Sequence, residues 1–319
     1  MEKVFVAGAI PEEGLALLKQ HFEVDMYDGK GIIDEETLKA GVKDAVALIS
    51  LLSTDVNRNV IDAGQQLKLI ANYGAGFNNV DTAYAREKGI DVTNTPHAST
   101  NATADLTLGL ILAVARRIPE GDQLCRTVGF DGWAPLFFRG REVSGKTLGI
   151  IGLGEIGSAV AKRAKAFDMN VIYTGPNKKA DKEQALGVTY ADLDTLLETA
   201  DFISINAAYN PDLHHMINAD AFKKMKNTSY LINVARGPIV DEQALVDALN
   251  DKEIEGAALD VYEFEPDIHD GLKSLSNVVI TPHIGNATFE ARDMMAEIVA
   301  QNAIRISQGD APHYIVNAK

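Results

Sequence analysis

Gly152-Leu153-Gly154-Glu155-Ile156-Gly157 sets three glycines in the spacing G-x-G-x-x-G, directly after the apolar run Thr147–Ile151 and at the start of a helical segment. A strand, a glycine turn and a helix in that order can bind the pyrophosphate of a dinucleotide. Gly152 makes the tight turn, Gly154 lets phosphate approach the backbone, and Gly157 permits close helix–strand packing. Glu155 and Ile156 open the helix, whose N-terminus offers N–H groups and a positive dipole. The spacing alone is a weak signal, and a merely tight strand–helix turn is the competing reading. The flanking elements favour the cofactor.

The second strand of such a unit normally ends in an acid that binds the ribose hydroxyls. Here Asn170–Thr174 runs into Gly175-Pro176-Asn177-Lys178-Lys179, so Gly175 stands at the acidic position and no carboxylate follows until Asp181. Thr174 and Gly175 leave that corner uncharged, and Lys178 and Lys179 bring positive charge. This favours a 2′-phosphate and hence NADP(H), with NAD(H) as the lesser choice. The competing reading is a solvated lysine pair beside a relaxed NAD site.

Three more fragments sit just past apolar strands of the same unit, where open α/β sheets place their ligands. They are Asn233-Val234-Ala235-Arg236-Gly237, Leu259-Asp260-Val261-Tyr262-Glu263-Phe264-Glu265-Pro266 and Thr281-Pro282-His283-Ile284-Gly285. An Arg, a Glu and a His in these places suit reduction of a 2-oxo acid. Arg236 can clamp carboxylate and keto oxygens as a planar fork. His283 can give a proton to the oxygen as hydride reaches the carbon. Glu265 can hold the imidazole and favour its charged form. Each also has a bland reading taken singly: a surface salt bridge, an exposed carboxylate, a capping histidine.

The elements that must position these groups are legible in outline. The first 95 residues alternate strand candidates (Lys3–Ala7, Glu23–Met26, Ala45–Ile49, Lys68–Ala71, Asp91–Thr93) with helical runs (Pro11–Gln20, Asp34–Ala40, Val56–Ala63, Asp81–Lys88). Asp34 and Asp81 suit N-caps, and Pro11 suits a first turn. Ser99–Ile118 reads as one buried helix closed by Arg116-Arg117, and Gly129–Gly140, with Trp133, Phe137 and Phe138, as an irregular aromatic arm that packs on another subunit. A second strand–helix run begins at Lys146, with strands Thr147–Ile151, Asn170–Thr174, Phe202–Asn206, Tyr230–Val234, Gly256–Leu259 and Val278–Thr281. A last helix, Thr288–Ser307, repeats apolar residues at Met295, Val299, Ala303 and Ile306 and is expected to return to the first unit.

The chain has 319 residues and a net charge of −15, which argues against general binding to nucleic acid or an anionic membrane surface. Its one cysteine, Cys125, excludes an intramolecular disulfide and a multi-cysteine metal site, and no metal is expected. Cys125 itself reads as a buried filler in a helix rather than a nucleophile. The N-terminus lacks the pattern of a signal peptide, and the longest apolar run, Leu106 to Val114, is too short for a bilayer, so a cytoplasmic place is expected.

Taken in order, the G-x-G-x-x-G turn, Ala235-Arg236-Gly237, the stretch from Asp260-Val261-Tyr262 to Glu265-Pro266, and Thr281-Pro282-His283-Ile284-Gly285 resemble the D-isomer-specific 2-hydroxyacid dehydrogenases over essentially the whole chain. The resemblance implies that Arg236, Glu265 and His283 are the catalytic residues. It implies that Asp260 holds the nicotinamide carboxamide and that Thr103 and Ala235 line the nicotinamide. The loop after Asn72-Tyr73 is similar to the family's substrate loop, which implies that backbone N–H groups of Gly74, Ala75 and Gly76 hold the substrate carboxylate. Leu51-Leu52-Ser53 belongs to the same place, so Leu52 and Ser53 are expected at the substrate. Together with Trp133-Ala134-Pro135-Leu136 and Tyr173-Thr174-Gly175, these residues are most similar to the glyoxylate/hydroxypyruvate reductase branch. That branch carries a basic residue straight after Tyr-Thr-Gly; Pro176 stands here instead, and Lys178 or Lys179 must substitute. Ala207-Ala208-Tyr209 replaces a usual Pro-Leu pair.

The expected fold is therefore α/β, two Rossmann-like and flavodoxin-like parallel-sheet domains with a cleft between them. Residues 1–98 and 288–319 form a discontinuous substrate domain and 99–287 a dinucleotide-binding domain. The expected function is NADPH-preferring reduction of small 2-oxo acids by a homodimer. The rivals are a 3-phosphoglycerate dehydrogenase, a reductase of bulkier 2-oxo acids, and a corepressor-like protein that senses NAD(H). The phosphoglycerate rival is disfavoured because Leu51-Leu52-Ser53 carries no arginine for a phosphate and because the chain holds no C-terminal regulatory domain.

Overall fold

A computed structural model describes residues 1–318; Lys319, the last residue of the expected C-terminal segment, lies outside the described residues. The chain divides into two compact units, Met1–Ser99 with Asn286 onward, and Thr100–Gly285. Both are built on all-parallel sheets, as their near-continuous apolar strands require.

The first unit holds β1 (Lys3–Val6), β2 (Glu23–Met26), β3 (Ala45–Leu51), β4 (Leu69–Tyr73) and β5 (Asp91–Thr93), in the order β2-β1-β3-β4-β5. Alternation along the strands feeds two core layers. Val4, Val6, Leu69 and Ala71 face one, and Phe5, Leu48 and Ile70 face the other. β2 lies at the edge and shows it: Glu23 and Asp25 are exposed. Asp34 and Asp81 do cap helices, accepting the N–H groups of Thr37 and Tyr84 at 2.9 Å each. The helix expected over Val56–Ala63 starts later, at Arg58. Asn57 caps it by accepting from the N–H groups of Asn59 and Val60, and Val56 is drawn into a bridge with Val80. The long helix Phe289–Ser307 closes one core layer with Val299, Ala300 and Ala303.

The second unit holds β6 (Thr147–Ile151), β7 (Asn170–Thr174), β8 (Thr189–Tyr190), β9 (Phe202–Ile205), β10 (Tyr230–Asn233), β11 (Gly256–Leu259) and β12 (Val278–Ile280). Their order is β12-β11-β10-β9-β6-β7-β8. The order reverses at β6, which pairs with β7 on one side and β9 on the other; open α/β sheets bind ligands at such a switch point. β8 is a two-residue edge strand that the sequence did not announce.

The helix Thr100–Ala115 buries Ala104, Leu108, Leu110, Ile111 and Val114 against this sheet. It stops short of the expected Ile118 because Arg117 turns left-handed, at φ 56°, and a second helix, Ile118–Thr127, begins there. That helix corrects the expectation for Cys125: it has no buried residue, and Cys125 is exposed. Its apolar side, with Ile118, Leu124 and Cys125, packs on no core of this chain: Ile118 is 55% exposed, so Cys125 has nothing to fill. From Val128 to Lys146 neither helix nor strand forms, and Trp133 (87% exposed) and Leu136 (75%) stand in solvent. Among the described residues, no helix is long and apolar enough to cross a membrane.

Candidate active site

The glycine turn after β6 has three physically distinct glycines. Gly152 takes φ 98°, its N–H donates to Thr174 O at 3.0 Å, and a Cβ there would stand 2.7 Å from Ala207 backbone. A Cβ at Gly157 would run into the Gly152 carbonyl, so that glycine serves helix–strand packing. At Gly154, and also at Gly175, a Cβ would meet no protein atom. The protein's own packing therefore does not demand glycine at 154. Gly154 also caps the helix Glu155–Ala166 without a side-chain bond, which leaves the helix N-terminus open to an outside anion. A dinucleotide pyrophosphate fits both facts.

Positive charge stands over this turn, though not as the sequence alone suggests. Lys179 Nζ lies 2.8 Å from Leu153 O. Lys182, not singled out in the sequence, donates to Gly154 O at 3.1 Å and Ser158 Oγ at 2.9 Å. Lys178 instead faces Glu183 at 3.6 Å and is mostly exposed. The signal for Lys182 lay in its spacing: it follows Lys179 by one turn of the helix Ala180–Leu186. Glu155 opens the neighbouring helix 3.8 Å from Lys182, Ile156 is half-buried behind it, and Thr174 is buried.

β10, β11 and β12 are adjacent and parallel, so their C-terminal ends lie side by side. Each is followed at once by one of the three fragments. Past β10, Asn233 brackets the turn: its Oδ1 accepts the N–H of buried Ala235 at 3.0 Å and its Nδ2 donates to Arg236 O at 3.0 Å. A Cβ at Gly237 would overlap the Tyr262 carbonyl. Glycine there lets the Arg236 segment lie directly against the Tyr262–Glu263 backbone. Arg236 is half-buried, with Nη1 on Ala235 O at 2.7 Å; burial pulls its pKa down and the Glu265 charge opposes this.

Past β11, both oxygens of Glu265 are engaged. Oε1 accepts the Tyr262 N–H at 3.0 Å, and Oε2 pairs with His283 Nδ1 at 2.8 Å. Burial pushes this carboxyl up, but the His283 hydrogen bond and charge, the Tyr262 N–H and Arg236 outweigh it and hold the group below its usual range. The segment leading to Glu265 has its own anchors. Glu263 N–H donates to Glu242 Oε1 at 2.8 Å, and Glu263 Oε1 meets His215 Nε2 at 2.6 Å. Burial raises the pKa of Glu242.

Past β12, His283 sits at φ 51°, a left-handed conformation uncommon outside glycine. Asp260, fully buried, holds the loop in that shape. Its Oδ1 accepts from Thr281 Oγ1 at 2.6 Å and Ile284 N–H at 2.8 Å, and its Oδ2 accepts from Gly285 N–H at 2.8 Å. Burial raises the Asp260 pKa against these donors. Thr103 Oγ1 completes the clamp on Gly285 O at 3.0 Å. The histidine therefore offers Nε2 to a reactant, since Nδ1 is held by Glu265.

In the first unit, β3 and β4 are neighbours, so Leu52 and Ser53 after β3 lie beside Gly74, Ala75 and Gly76 after β4. Leu52 is half-buried and fills the space a Cβ on Gly74 would need; Ser53 is exposed.

The sequence profile described as "D-isomer specific 2-hydroxyacid dehydrogenase, NAD binding domain" matches residues 108–285. The chain is 74% identical over 317 residues to a candidate 2-hydroxyacid dehydrogenase of Staphylococcus aureus strain USA300, covering 99% of this chain and 100% of that one. An NADPH-dependent glyoxylate/hydroxypyruvate reductase from Sinorhizobium meliloti superposes with a TM-score of 0.86 at 31% identity, covering 99% of this chain and 98% of that one. A D-lactate dehydrogenase from Aquifex aeolicus, solved with NAD and lactic acid, superposes with a TM-score of 0.86 at 28% identity, covering all of both chains. The chain belongs to the D-isomer-specific 2-hydroxyacid dehydrogenase family and carries its NAD-binding domain.

Proposed function

We propose that this oxidoreductase is a cytoplasmic, NADPH-preferring reductase of small 2-oxo acids, glyoxylate and hydroxypyruvate first, which accepts NADH less well and works as a homodimer. The observation that carries the reading is the Glu265–His283 pair, 2.8 Å apart, with Arg236 near enough to bear on Glu265 electrostatically.

When bound, the reduced nicotinamide supplies a hydride to the carbonyl carbon. Arg236 lies as a planar fork on the substrate's carboxylate and keto oxygens and stabilises the charge that grows on the latter. His283 gives the proton from Nε2 to that oxygen, so C=O becomes CH–OH and the ring is left neutral. Glu265 keeps the ring oriented through its contact with Nδ1. Asp260 and Thr103 act through the His283 loop they hold, and with Ala235 they border the nicotinamide. The amides of Ala75 and Gly76, with that of Phe77, would receive the substrate carboxylate; the Gly74 N–H, expected there too, is instead taken by Asn72 O at 2.9 Å, and Leu52 and Ser53 would border the small substituent.

The cofactor preference is supported by the open space at Gly175 and by Lys179 and Lys182 at the turn. The dimer is supported by the exposed aromatic arm, where Phe130 and Trp133 have no place in their own core.

The test is nicotinamide absorbance with glyoxylate, hydroxypyruvate, pyruvate, phenylpyruvate and 2-oxoisovalerate, each with both cofactors. Fastest turnover of the first two with NADPH is expected. No turnover of any would leave a nucleotide-sensing binding protein as the better account.

A further inference from the structure

Three successive carbonyls in the loop after β4 are each tied to a donor from the first unit. Gly74 O accepts the Thr95 N–H at 2.9 Å, Ala75 O accepts Asn94 Nδ2 at 2.7 Å, and Gly76 O accepts Asn72 Nδ2 at 2.7 Å. In a planar trans peptide the carbonyl of one residue and the N–H of the next point in opposite directions. Fixing these three carbonyls inward therefore turns the N–H groups of Ala75, Gly76 and Phe77 the other way. Among the described residues those three N–H groups donate to no protein acceptor. Consecutive outward N–H groups make an anion-binding concavity.

The donors are themselves held. Asn72 is fully buried, and its Oδ1 accepts from Ser50 Oγ at 2.9 Å and Asn79 Nδ2 at 3.1 Å. This fixes the amide's sense: a flipped side chain would put two acceptors face to face at Gly76 O. Asn79 Nδ2 also reaches Leu51 O at 3.0 Å and Thr54 O at 2.9 Å, which ties the end of β3 into the same network. Asn72 is thus held from β3 and from Asn79, and its one donation to the loop, to Gly76 O, is fixed in direction.

We infer that Asn72 and Asn94 are positioning residues that preset the 75–77 amides as a carboxylate seat. Neither asparagine touches the substrate; each acts by pinning a carbonyl on the far side of the peptide whose N–H binds. This rests on the reading of the loop as the seat of the substrate carboxylate.

The test uses the full-length enzyme loaded with NADPH or NADH, with oxalate as a planar carboxylate that cannot be reduced. Hydrogen exchange of peptides spanning 72–79 is followed with and without oxalate. In the wild type oxalate slows exchange there. Absence of slowing overturns the carboxylate-seat reading and this inference with it. Asn94 is half-exposed, so Asn94→Ala folds normally. It is expected to weaken oxalate binding and raise the 2-oxo acid KM by about fivefold to tenfold, the scale of one lost hydrogen bond. It is expected to change kcat by less than about twofold, and to leave cofactor Kd and thermal midpoint unchanged. Asn72→Asp, which keeps size and acceptor but removes the donor, shifts KM in the same direction. If oxalate slows exchange in the wild type but Asn94→Ala binds oxalate as tightly, the seat stands and the positioning role falls.

Discussion

Glu265 Oε2 lies 2.8 Å from His283 Nδ1 while Glu265 Oε1 is pinned by the Tyr262 N–H at 3.0 Å. The carboxylate cannot rotate away from the ring without giving up a second bond, and the ring cannot turn without losing its partner. The histidine, in a left-handed backbone position, has its loop held by Asp260. Orientation of the acid is thus set from two strand ends at once.

The pair has a pH signature. Burial raises the Glu265 carboxyl, but the His283 contact, the Tyr262 N–H and Arg236 together hold it below its usual range. Glu265→Gln should lower kcat/KM for reduction, because the ring would lose the carboxylate that holds Nδ1 at 2.8 Å. For stability, a lowered carboxylate contributes above the ordinary carboxylate range, and that contribution is lost as pH falls through the depressed value. Glu265→Gln should lack this acid-side loss. Unchanged kcat/KM in Glu265→Gln would remove Glu265 from the mechanism.

Arg236→Lys should cost about 10²-fold in kcat/KM, about 2.7 kcal/mol, because an ammonium cannot form the planar fork. Near-wild-type kinetics would reassign Arg236 to a surface role.

Two glycines should separate packing from binding. A Cβ at Gly237 overlaps the Tyr262 carbonyl, so Gly237→Ala should destabilise the fold by about 1–3 kcal/mol and depress turnover. A Cβ at Gly154 meets no protein atom, so Gly154→Ala should keep the thermal midpoint while weakening cofactor binding. Calorimetry paired with cofactor titration checks both, and unchanged cofactor affinity in Gly154→Ala would unseat the pyrophosphate from this turn.

NADPH should be preferred over NADH by roughly tenfold to a hundredfold, ~1.4–2.7 kcal/mol. The advantage should shrink with salt, since lysine contacts at a surface are screened. Lys182→Ala should reduce it more than Lys178→Ala, because Lys178 is turned toward Glu183. Gly175→Asp should invert it by adding repulsion as well as a ribose partner. Equal kcat/KM for both cofactors in low salt would leave the lysines as a solvated patch.

Hydroxypyruvate should exceed 3-phosphohydroxypyruvate in kcat/KM. Leu52 packs on Gly74 beside the loop and offers a phosphate dianion no charge, and an unpaired dianion is costly to desolvate. The opposite ranking would return the phosphoglycerate reading.

What the sequence revealed were features with a local signature. The strand–turn–helix around Gly152 needs only its own neighbours, and Asp34 and Asp81 cap helices with their own side chains. Arg236, Glu265 and His283 could be picked out because each follows an apolar strand at a fixed short distance. What stayed hidden depends on partners far along the chain. Asn72 matters through Ser50 and Asn79, Glu263 through His215 and Glu242, and Asp260 through Thr281 and the 284–285 amides. Cys125 was misplaced because an apolar neighbour such as Leu124 shows which side of a helix is apolar, not whether any core covers that side. β8 was missed because two residues, Thr189 and Tyr190, carry no period at all.

The helix Phe289–Ser307 gives this chain an order of assembly. Thr100–Gly285 is contiguous, so it leaves the ribosome with every one of its own strands already made. The first unit is different: Val4, Val6 and Leu18 form a layer whose missing wall, Val299, Ala300 and Ala303, is synthesised last. The layer that holds Val4, Val6 and Leu18 therefore closes only after the second unit has been made. Until Phe289–Ser307 arrives, one apolar face of that sheet lacks its cover, and exposed apolar surface of this kind is prone to aggregation.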